Sequence, residues 1–191
     1  MKIANNEMMS SLVKLANLAR ETLSATGSEQ QARDVVTKII GHDHFVMLNL
    51  LELSEIKYQA EKDDQPSVGD VNSHTDRWLD DSGREIGTIS GEGWKIAQFE
   101  EDIISYYRET AETALGRIEV AGLWNSSAIW QKQWQSLPAT GVSGDVTGMF
   151  GVRQLFQETP RKRYRAFILL LPLERTDESL QAAIRNGYIT D

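Results

Sequence analysis

The sequence predicts an all-β protein: a small, closed, antiparallel barrel of eight strands, preceded by two helices and followed by a short one. The first observation behind this prediction is the recurrence of glycines from position 69 onward, which mark turns, bulges and bends between short segments. The second is that the segments between these marks are short and rich in β-favouring residues. Many short strands in succession favour a closed barrel, which holds at most one small ligand inside.

Length and composition indicate one domain and exclude several classes of function. The chain has 191 residues, 40% of them hydrophobic, which is enough for a single core. A formal net charge of −8 argues against a nucleic-acid partner, because phosphates need a basic surface. The absence of cysteine excludes disulfides and thiolate metal sites, and it fits a reducing compartment.

No segment of the sequence has the pattern of a signal peptide or a membrane span. The first residues lack a continuous apolar stretch, and the longest apolar run, 166–171, stops at Pro172. We therefore expect a cytoplasmic protein without a membrane partner.

Residues 1–41 are predicted to form two helices. Gly27 is expected to end the first helix and Gly41 the second, which begins at Ser28 with Gln31 placed for a capping box. The apolar residues of the first helix recur at three- and four-residue steps and so share one face. They are Met8, Leu12, Leu15, Ala19 and Leu23.

Residues 42–175 are assigned to the barrel and residues 176–191 to a C-terminal helix and tail. The turn at 80–83 (Asp-Asp-Ser-Gly) has the composition of a tight connection, and acidic residues follow Thr176 at the predicted start of the last helix. The predicted strands are 44–53, 71–79, 85–98, 103–113, 117–124, 134–138, 148–157 and 165–171.

An ordered set of short motifs resembles the allene oxide cyclase barrel over just over half of the chain. These motifs are Gly69-Asp70, Ile86-Gly87, Gly91, Asp102, Gly116, Gly122, Thr140-Gly141, Ser143-Gly144, Gly148 and Gly151. The two leading helices make the chain more similar to the bacterial branch, the [4+2] cyclases of spirotetronate and spirotetramate polyketide pathways. That resemblance implies that the N-terminal segment closes over the barrel mouth as a lid.

The plant enzymes' pocket residues are matched only in part. Their glutamate and asparagine, two residues apart, correspond to Glu52 and Ser54, so the acid is kept and the amide is lost. A further asparagine corresponds to Asp76 and a tyrosine to Trp124. Because a carboxylate at Asp76 repels developing negative charge, these differences argue against the plant reaction.

Because side chains alternate between the two faces of a strand, the matches at Asp76 and Trp124 predict which other residues point into the barrel. If Asp76 points inward, so do Asn72, His74 and Trp78, and if Trp124 points inward, so does Val120. The resemblance places Ile104, Tyr106, Arg108 and Thr110 inside as well. The remaining candidates for contact with a substrate are Trp94, Met149, Leu12 and Leu15.

The predicted function is a [4+2] cyclase that needs no cofactor and folds a linear polyene tetronate or tetramate into a spiro-cyclohexene. Apolar residues of the pocket would determine on which face the diene approaches the alkene. Tyr106 or His74 would donate a hydrogen bond to the carbonyl of the tetronate or tetramate ring. The residues predicted to take part in catalysis are Tyr106, His74, Glu52 and Asp76.

Two other functions remain open. One is an epoxide-opening cyclase or isomerase in which Glu52 and Asp76 steer charge, and the other is a dirigent-like protein that binds an apolar metabolite without turnover. The same side chains also admit a purely structural interpretation, with the aromatic residues filling the core and the charged ones stabilising the barrel.

The remaining motifs carry less chemistry. His42 and His44 fit a helix-to-strand connector better than a metal site, so no metal is expected. The basic run 161–165 is interpreted as a solvated hairpin turn. The resemblance implies a homo-oligomer, a dimer or a trimer.

Overall fold

The computed structural model describes residues 6–59 and 67–187 and confirms the closed, eight-stranded antiparallel barrel. Each strand pairs with the next along the chain, and β8 pairs back with β1 to close the barrel. The strands are β1 (Val46–Gln59), β2 (Val71–Leu79), β3 (Glu85–Phe99), β4 (Asp102–Thr113), β5 (Gly116–Asn125), β6 (Gln135–Gly141), β7 (Met149–Thr159) and β8 (Arg163–Pro172).

The two leading helices, α1 (Asn6–Thr26) and α2 (Glu29–Ile40), end at the predicted glycines, and α2 begins after Ser28 as predicted. Gly27 and Gly41 follow them with φ angles of 65° and 79°, in the left-handed region that glycine tolerates best. The side chain of Ser28 accepts a hydrogen bond from the backbone N–H of Gln31, which caps α2.

Two further helices differ from expectation. A short helix, α3 (Ser126–Trp130), follows β5 and is not predicted by any apolar period in the sequence. The last helix, α4 (Leu173–Arg185), begins directly after Pro172 rather than at Thr176. None of the described helices is both long enough and apolar enough to cross a membrane.

The helices α1 and α4 pack on the outer wall of the barrel, and α2 packs mainly against these two helices. Leu12 and Leu15, both fully buried, belong to a cluster with Val152, Phe167 and Leu169, whose side chains point away from the interior. Because β8 is apolar on both faces, its outward residues need a cover, and α1 supplies it. Leu12 and Leu15, predicted as candidates for contact with a substrate, therefore face the outer wall and do not line the described cavity.

The barrel interior is filled at one end and hollow at the other. Around the carboxyl end of β2 and the amino end of β5, Trp78, Ile118 and Val120 are completely buried in an apolar core. Met149 and Val146, the latter from a 3₁₀ turn at Gly144–Val146, join the same core. A ligand site is therefore confined to the opposite half, near the carboxyl end of β1.

Candidate functional site

A cavity of about 50 Å³ lies in the hollow half of the barrel, with room for only a few water molecules. Its described lining is aromatic and apolar on one side and polar on the other. The apolar side includes Trp124, Trp130, Ile129, Leu155 and Tyr164. Ionisable groups of several strands form the polar side.

The floor of the cavity is a charged layer that consists of Glu52, His74, Asp76, Glu109 and Arg153. Arg153 donates two hydrogen bonds to Glu52, of 2.7 and 2.8 Å, and one of 3.1 Å to Glu109. All three side chains are at least 97% buried. Arg153 therefore joins β1 and β4 through the middle of the barrel, where a fork-shaped guanidinium fits two carboxylates.

His74 completes the charged layer on the side of β2. Its Nδ1 lies 2.9 Å from Asp76 Oδ2, while Nε2 lies 3.2 Å from Glu109 Oε1 at an angle poor for hydrogen bonding. The hydroxyl of Ser54 donates to the other oxygen of Asp76 at 2.6 Å. Every carboxylate of the layer thus has a cation or a hydroxyl beside it.

The pKa values of His74 and its partners follow from these contacts. Burial alone would lower the pKa of His74, but its hydrogen bond to Asp76, its close contact with Glu109 and the negative charges of both carboxylates outweigh burial and raise the pKa to about 10. His74 is therefore an imidazolium at neutral pH. Burial opposes ionisation of Asp76 and Glu109, yet their cationic neighbours hold both pKa values below the ordinary range.

Glu52 is the exception in the charged layer. Complete burial raises the pKa of Glu52 to about 7, although the guanidinium of Arg153 opposes this shift. The indole N–H of Trp78 also donates to Glu52, at 2.7 Å. For Arg153, the cost of burial is outweighed by Glu109 and Glu52, which raise its pKa above the ordinary value.

A second polar group, the donor cluster, lies above the charged layer and consists of Asn72, Lys95 and Tyr107. The phenol oxygen of Tyr107 accepts a hydrogen bond from Asn72 Nδ2 at 2.9 Å and one from Lys95 Nζ at 3.0 Å. Opposite Tyr107 on β3 stands Gly93, where an added Cβ would lie 2.4 Å from the phenol ring. The absence of a side chain at Gly93 thus makes room for the ring.

Burial also perturbs Lys95. Desolvation lowers the pKa of Lys95 to about 8, with Asp70 opposing this shift and Arg161 adding to it. Arg161, in the turn between β7 and β8, lines the cavity and lies 5.4 Å from the ring centre of Trp130. Two cationic side chains therefore lie on this side of the cavity.

Trp124 contributes both an aromatic ring and an indole N–H to the lining of the cavity. Its ring packs against Tyr107 with centroids 4.4 Å apart. Its indole N–H is buried and has no hydrogen-bond partner among the described residues. A buried donor without a partner costs free energy, so a ligand acceptor placed here would relieve that cost.

No group of histidine, aspartate and glutamate side chains within residues 6–59 and 67–187 is placed to hold a metal ion. The carboxylates of the charged layer are engaged instead by Arg153, His74 and Trp78.

Comparison with known proteins identifies the family of the barrel that surrounds this cavity. A family model described as "Allene oxide cyclase barrel like domain" matches residues 54–170, from β1 to β8 and more than half of the chain. The chain belongs to the allene oxide cyclase barrel-like family.

Solved structures with the same barrel include several enzymes. One is a nonspecific heme-binding cyclase that catalyses [4+2] cycloaddition during neoabyssomicin biosynthesis: identity is 24%, TM-score 0.63, and the match covers 94% of this chain and 88% of that one. The Diels-Alderase AbmU from Streptomyces koyangensis has 23% identity, TM-score 0.63, and coverage of 95% and 85%. Pyocyanin demethylase has 18% identity, TM-score 0.54, and coverage of 65% and 99%. At these identities the likeness establishes the fold, which hosts more than one chemistry.

Within the family barrel, the predicted inward face of β2 is confirmed. Asn72, His74 and Asp76 are buried and line the cavity, as do Glu52 and Trp124. Trp78, Val120 and Met149 are also inside the barrel, but they belong to the apolar core rather than to the described cavity lining.

The prediction for β4 is wrong by one residue. Ile104, Tyr106 and Arg108 point outward, and the inward residues are their neighbours, among them Tyr107 and Glu109. Alternation is strict along this strand, so a one-residue error reverses every side chain. Thr110, also predicted inside, shares the outward phase of Tyr106.

Trp94 is likewise outside the barrel. It stacks on Tyr106 with centroids 6.0 Å apart, and Tyr106 is 37% exposed. The β3 residues that share the inward phase are Gly93 and Lys95.

Sequence reasoning missed Arg153, Glu109, Lys95 and Tyr107. Arg153 had a detectable signal, because it is the lone charge in the otherwise uncharged run from Gly148 to Gln157. The other three had none, since β3 and β4 carry polar or aromatic residues in both phases.

Proposed function

We propose that this protein is a [4+2] cyclase that needs no cofactor and acts on a linear polyene polyketide with a tetronate or tetramate head group. The observation that carries the proposal is the cavity itself, which sets an aromatic wall beside a cluster of hydrogen-bond donors. The solved structures described as a [4+2] cyclase and as a Diels-Alderase support it, because they share the barrel over most of the chain.

The reaction makes two carbon–carbon bonds and releases no atom, so it needs orientation rather than a nucleophile. Holding the two reacting ends together removes up to about 7–11 kcal/mol of a barrier of this kind. Trp124, Trp130 and Leu155 would restrict how the polyene folds. Tyr107, in place of the predicted Tyr106, would donate a hydrogen bond to the ring carbonyl and draw electron density from the alkene.

The small volume of the cavity requires a conformational change when substrate binds. About 50 Å³ does not hold a polyketide, so side chains at the cavity must move when substrate enters. Trp130 and Arg161 are placed to do so, because one belongs to a five-residue helix and the other to a hairpin turn. The same movement would later release the more compact product.

The decisive experiment offers the purified protein a linear polyene tetramate and follows cyclisation. Turnover well beyond one product per protein supports an enzyme, whereas a single equivalent would indicate a dirigent-like binding protein. Trp124→Ala should lower the rate and change the product ratio together. Trp94→Phe, on the outer wall, is the matched control and should change neither.

A second candidate function is an epoxide-opening cyclase or isomerase. The observation in its favour is Glu52, whose buried carboxyl has its pKa raised to about 7 and borders the cavity. This alternative predicts a severe loss of activity in the folded Glu52→Gln variant. The cycloaddition mechanism predicts little change in rate for the folded variant.

We also propose that the protein is a homodimer. Trp94, Tyr106 and Leu123 lie side by side across β3, β4 and β5, and Leu123 is 57% exposed. A chain of net charge −8 repels its own copies, but this patch carries no charge, and the next row holds the oppositely charged pair Glu92 and Arg108. Such a row is self-complementary about a two-fold axis.

The proposed location is the cytoplasm, where a chain without cysteine has no need of an oxidising compartment. Fractionation of the producing cells, with immunodetection of the protein, tests this location.

A further inference from the structure

A second concave surface, the outer groove, lies outside the barrel between the carboxyl-terminal half of α1 and the wall that β7, β8 and β1 form. Its volume is about 440 Å³. Leu155 of β7 and Tyr164 of β8 line the cavity inside the barrel, whereas Phe156 and Arg165, the residues that follow them, line the outer groove. Because side chains alternate along each strand, the two sites share strands but no described lining residue.

Two aromatic rings lie side by side in the outer groove. Trp134, directly before β6, and Phe156, on β7, have ring centroids 5.4 Å apart. Both side chains are partly buried and partly open to solvent. Covering exposed ring surface with a flat apolar group is favourable, both through removal of that surface from water and through ring–ring contact. The groove therefore suits a ligand with a planar aromatic body.

Arg20 of α1 is held in a fixed position over one of these rings. Its guanidinium carbon lies 4.1 Å from the centre of the Trp134 ring. Its Nε donates to Gln154 Oε1 at 3.1 Å and its Nη2 to Asn17 Oδ1 at 3.0 Å, and Gln154 is 1% exposed. The carboxylate of Glu21, 3.9 Å from Nη2, is largely in solvent. Nη1 donates to no residue that the structure describes, so a ligand can accept from it.

Arg165 of β8 brings a second guanidinium to the outer groove. It is the partner of Phe156 in the pairing of β7 with β8, and its Nε donates to Glu158 Oε1 at 2.7 Å. Its side chain is 43% exposed, and neither Nη group donates to a residue in the described part of the chain. Asp81 also lines the groove and accepts from Asn49 Nδ2 at 3.2 Å. The described lining thus carries two cations and one anion.

We propose that the outer groove binds a planar aromatic monocarboxylate, with its ring against Trp134 and Phe156 and its carboxylate held by Arg20 and Arg165. Guanidinium N–H groups match the two oxygens of a carboxylate in spacing and direction. A single carboxylate neutralises the charge of the lining, whereas a phosphate dianion would exceed it. Because Arg20 is already ordered, it loses little freedom when a ligand binds. The site does not depend on the proposed cyclase activity.

The test is a titration of the ¹⁵N-labelled full-length protein with 2-naphthoate, followed through the NMR signals of its tryptophan indole N–H groups. The signal of Trp134, identified by its loss in Trp134→Phe, should move and saturate, while that of Trp124 inside the barrel should stay in place. A parallel titration uses 2-naphthamide, a neutral molecule of nearly the same shape. The amide should bind at least about threefold less tightly, because it lacks the charge that strengthens the hydrogen bonds.

Two arginine variants test the contact with the carboxylate. Arg165→Met should weaken binding of 2-naphthoate about three- to tenfold and leave binding of the amide unchanged. Arg163→Met is the matched control, since Arg163 also lies 2.7 Å from Glu158 and is 47% exposed, but does not line the groove. It should bind both probes like wild type.

The proposed site is overturned if the Trp134 signal does not move, if acid and amide bind equally well, or if the two arginine variants lose the same affinity. Movement of the Trp124 signal instead would place the probe inside the barrel and also reject the outer groove. Should Arg165→Met fail to fold, the comparison of acid with amide on wild type decides.

Discussion

Tyr106 and Tyr107 are adjacent in sequence but lie on opposite sides of the barrel wall. Tyr107 is 8% exposed and holds Asn72 and Lys95 inside, whereas Tyr106 is 37% exposed and stacks on Trp94 outside. Removing the hydroxyl of Tyr107 should therefore affect the cavity, whereas removing the hydroxyl of Tyr106 should not.

Tyr107→Phe should slow cyclisation about two- to tenfold, because it removes one neutral hydrogen-bond donor from the cavity. Tyr106→Phe should leave the rate unchanged. Single-turnover kinetics with a linear polyene tetramate measures both variants. A larger loss in Tyr106→Phe than in Tyr107→Phe would contradict the assignment of Tyr107 to the site.

Arg153→Met should lower the free energy of unfolding by about 3–5 kcal/mol, because it leaves Glu52 and Glu109 buried without their cation. Urea denaturation of wild type and variant measures the difference. Arg165→Met removes an arginine that pairs with Glu158 on the half-exposed outer wall, and it should cost less than about 1 kcal/mol. If both variants lost the same free energy of unfolding, the buried ion pairs of Arg153 would contribute no more to stability than an exposed one.

His74 should make stability depend on pH in the alkaline range. Its pKa is about 10 in the folded protein, against about 6.5 in an unfolded chain, so the folded state holds the proton more tightly. This contribution is fully present below pH 6.5 and is lost as pH rises through 10. The measurement is the unfolding free energy of wild type and His74→Gln at several pH values from 6 to 10.5.

The expected result is a gap between wild type and His74→Gln that narrows with rising pH. His44→Gln, at an exposed position, is the control and should follow wild type throughout. A gap of constant size would show that His74 does not titrate in this range.

Leu123→Glu should convert the proposed dimer into a monomer, because it places a carboxylate in the centre of the uncharged outer patch. Size-exclusion chromatography with light scattering measures the mass of each variant. Leu18→Glu makes the same change at an apolar position on α1 that is 37% exposed, and it should leave the mass unchanged. A monomeric wild type would reject the proposed interface.

Local sequence signals were sufficient for the strands of the barrel and for the ends of the two leading helices. Glycines at helix ends and turns, such as Gly27, Gly41 and Gly83, have positive φ angles that ordinary side chains resist, so their positions mark the ends of elements. On β2 a single anchor, Asp76, set the phase, and alternation then placed Asn72 and His74 correctly.

The phase of β4 was taken from the family resemblance and was wrong, and alternation offered no check because that strand carries aromatic and polar residues in both phases. Composition could not choose between Tyr106 and Tyr107, and the pairing of Tyr107 with Gly93 decided it. The choice is steric, since a Cβ at position 93 would collide with the phenol ring. Only the register between two strands contains that information.

The sequence by itself determined the barrel, the ends of the two leading helices and the inward face of β2, because turn chemistry and alternation act between residues close in the chain. Only the tertiary structure decided that the leading helices cover the outer wall and that the floor of the cavity is ionic. Arg153 meets Glu52 across a separation of 101 residues. No local pattern encodes such a contact, because it forms only when the barrel closes and the buried charges must be neutralised by partners of opposite sign.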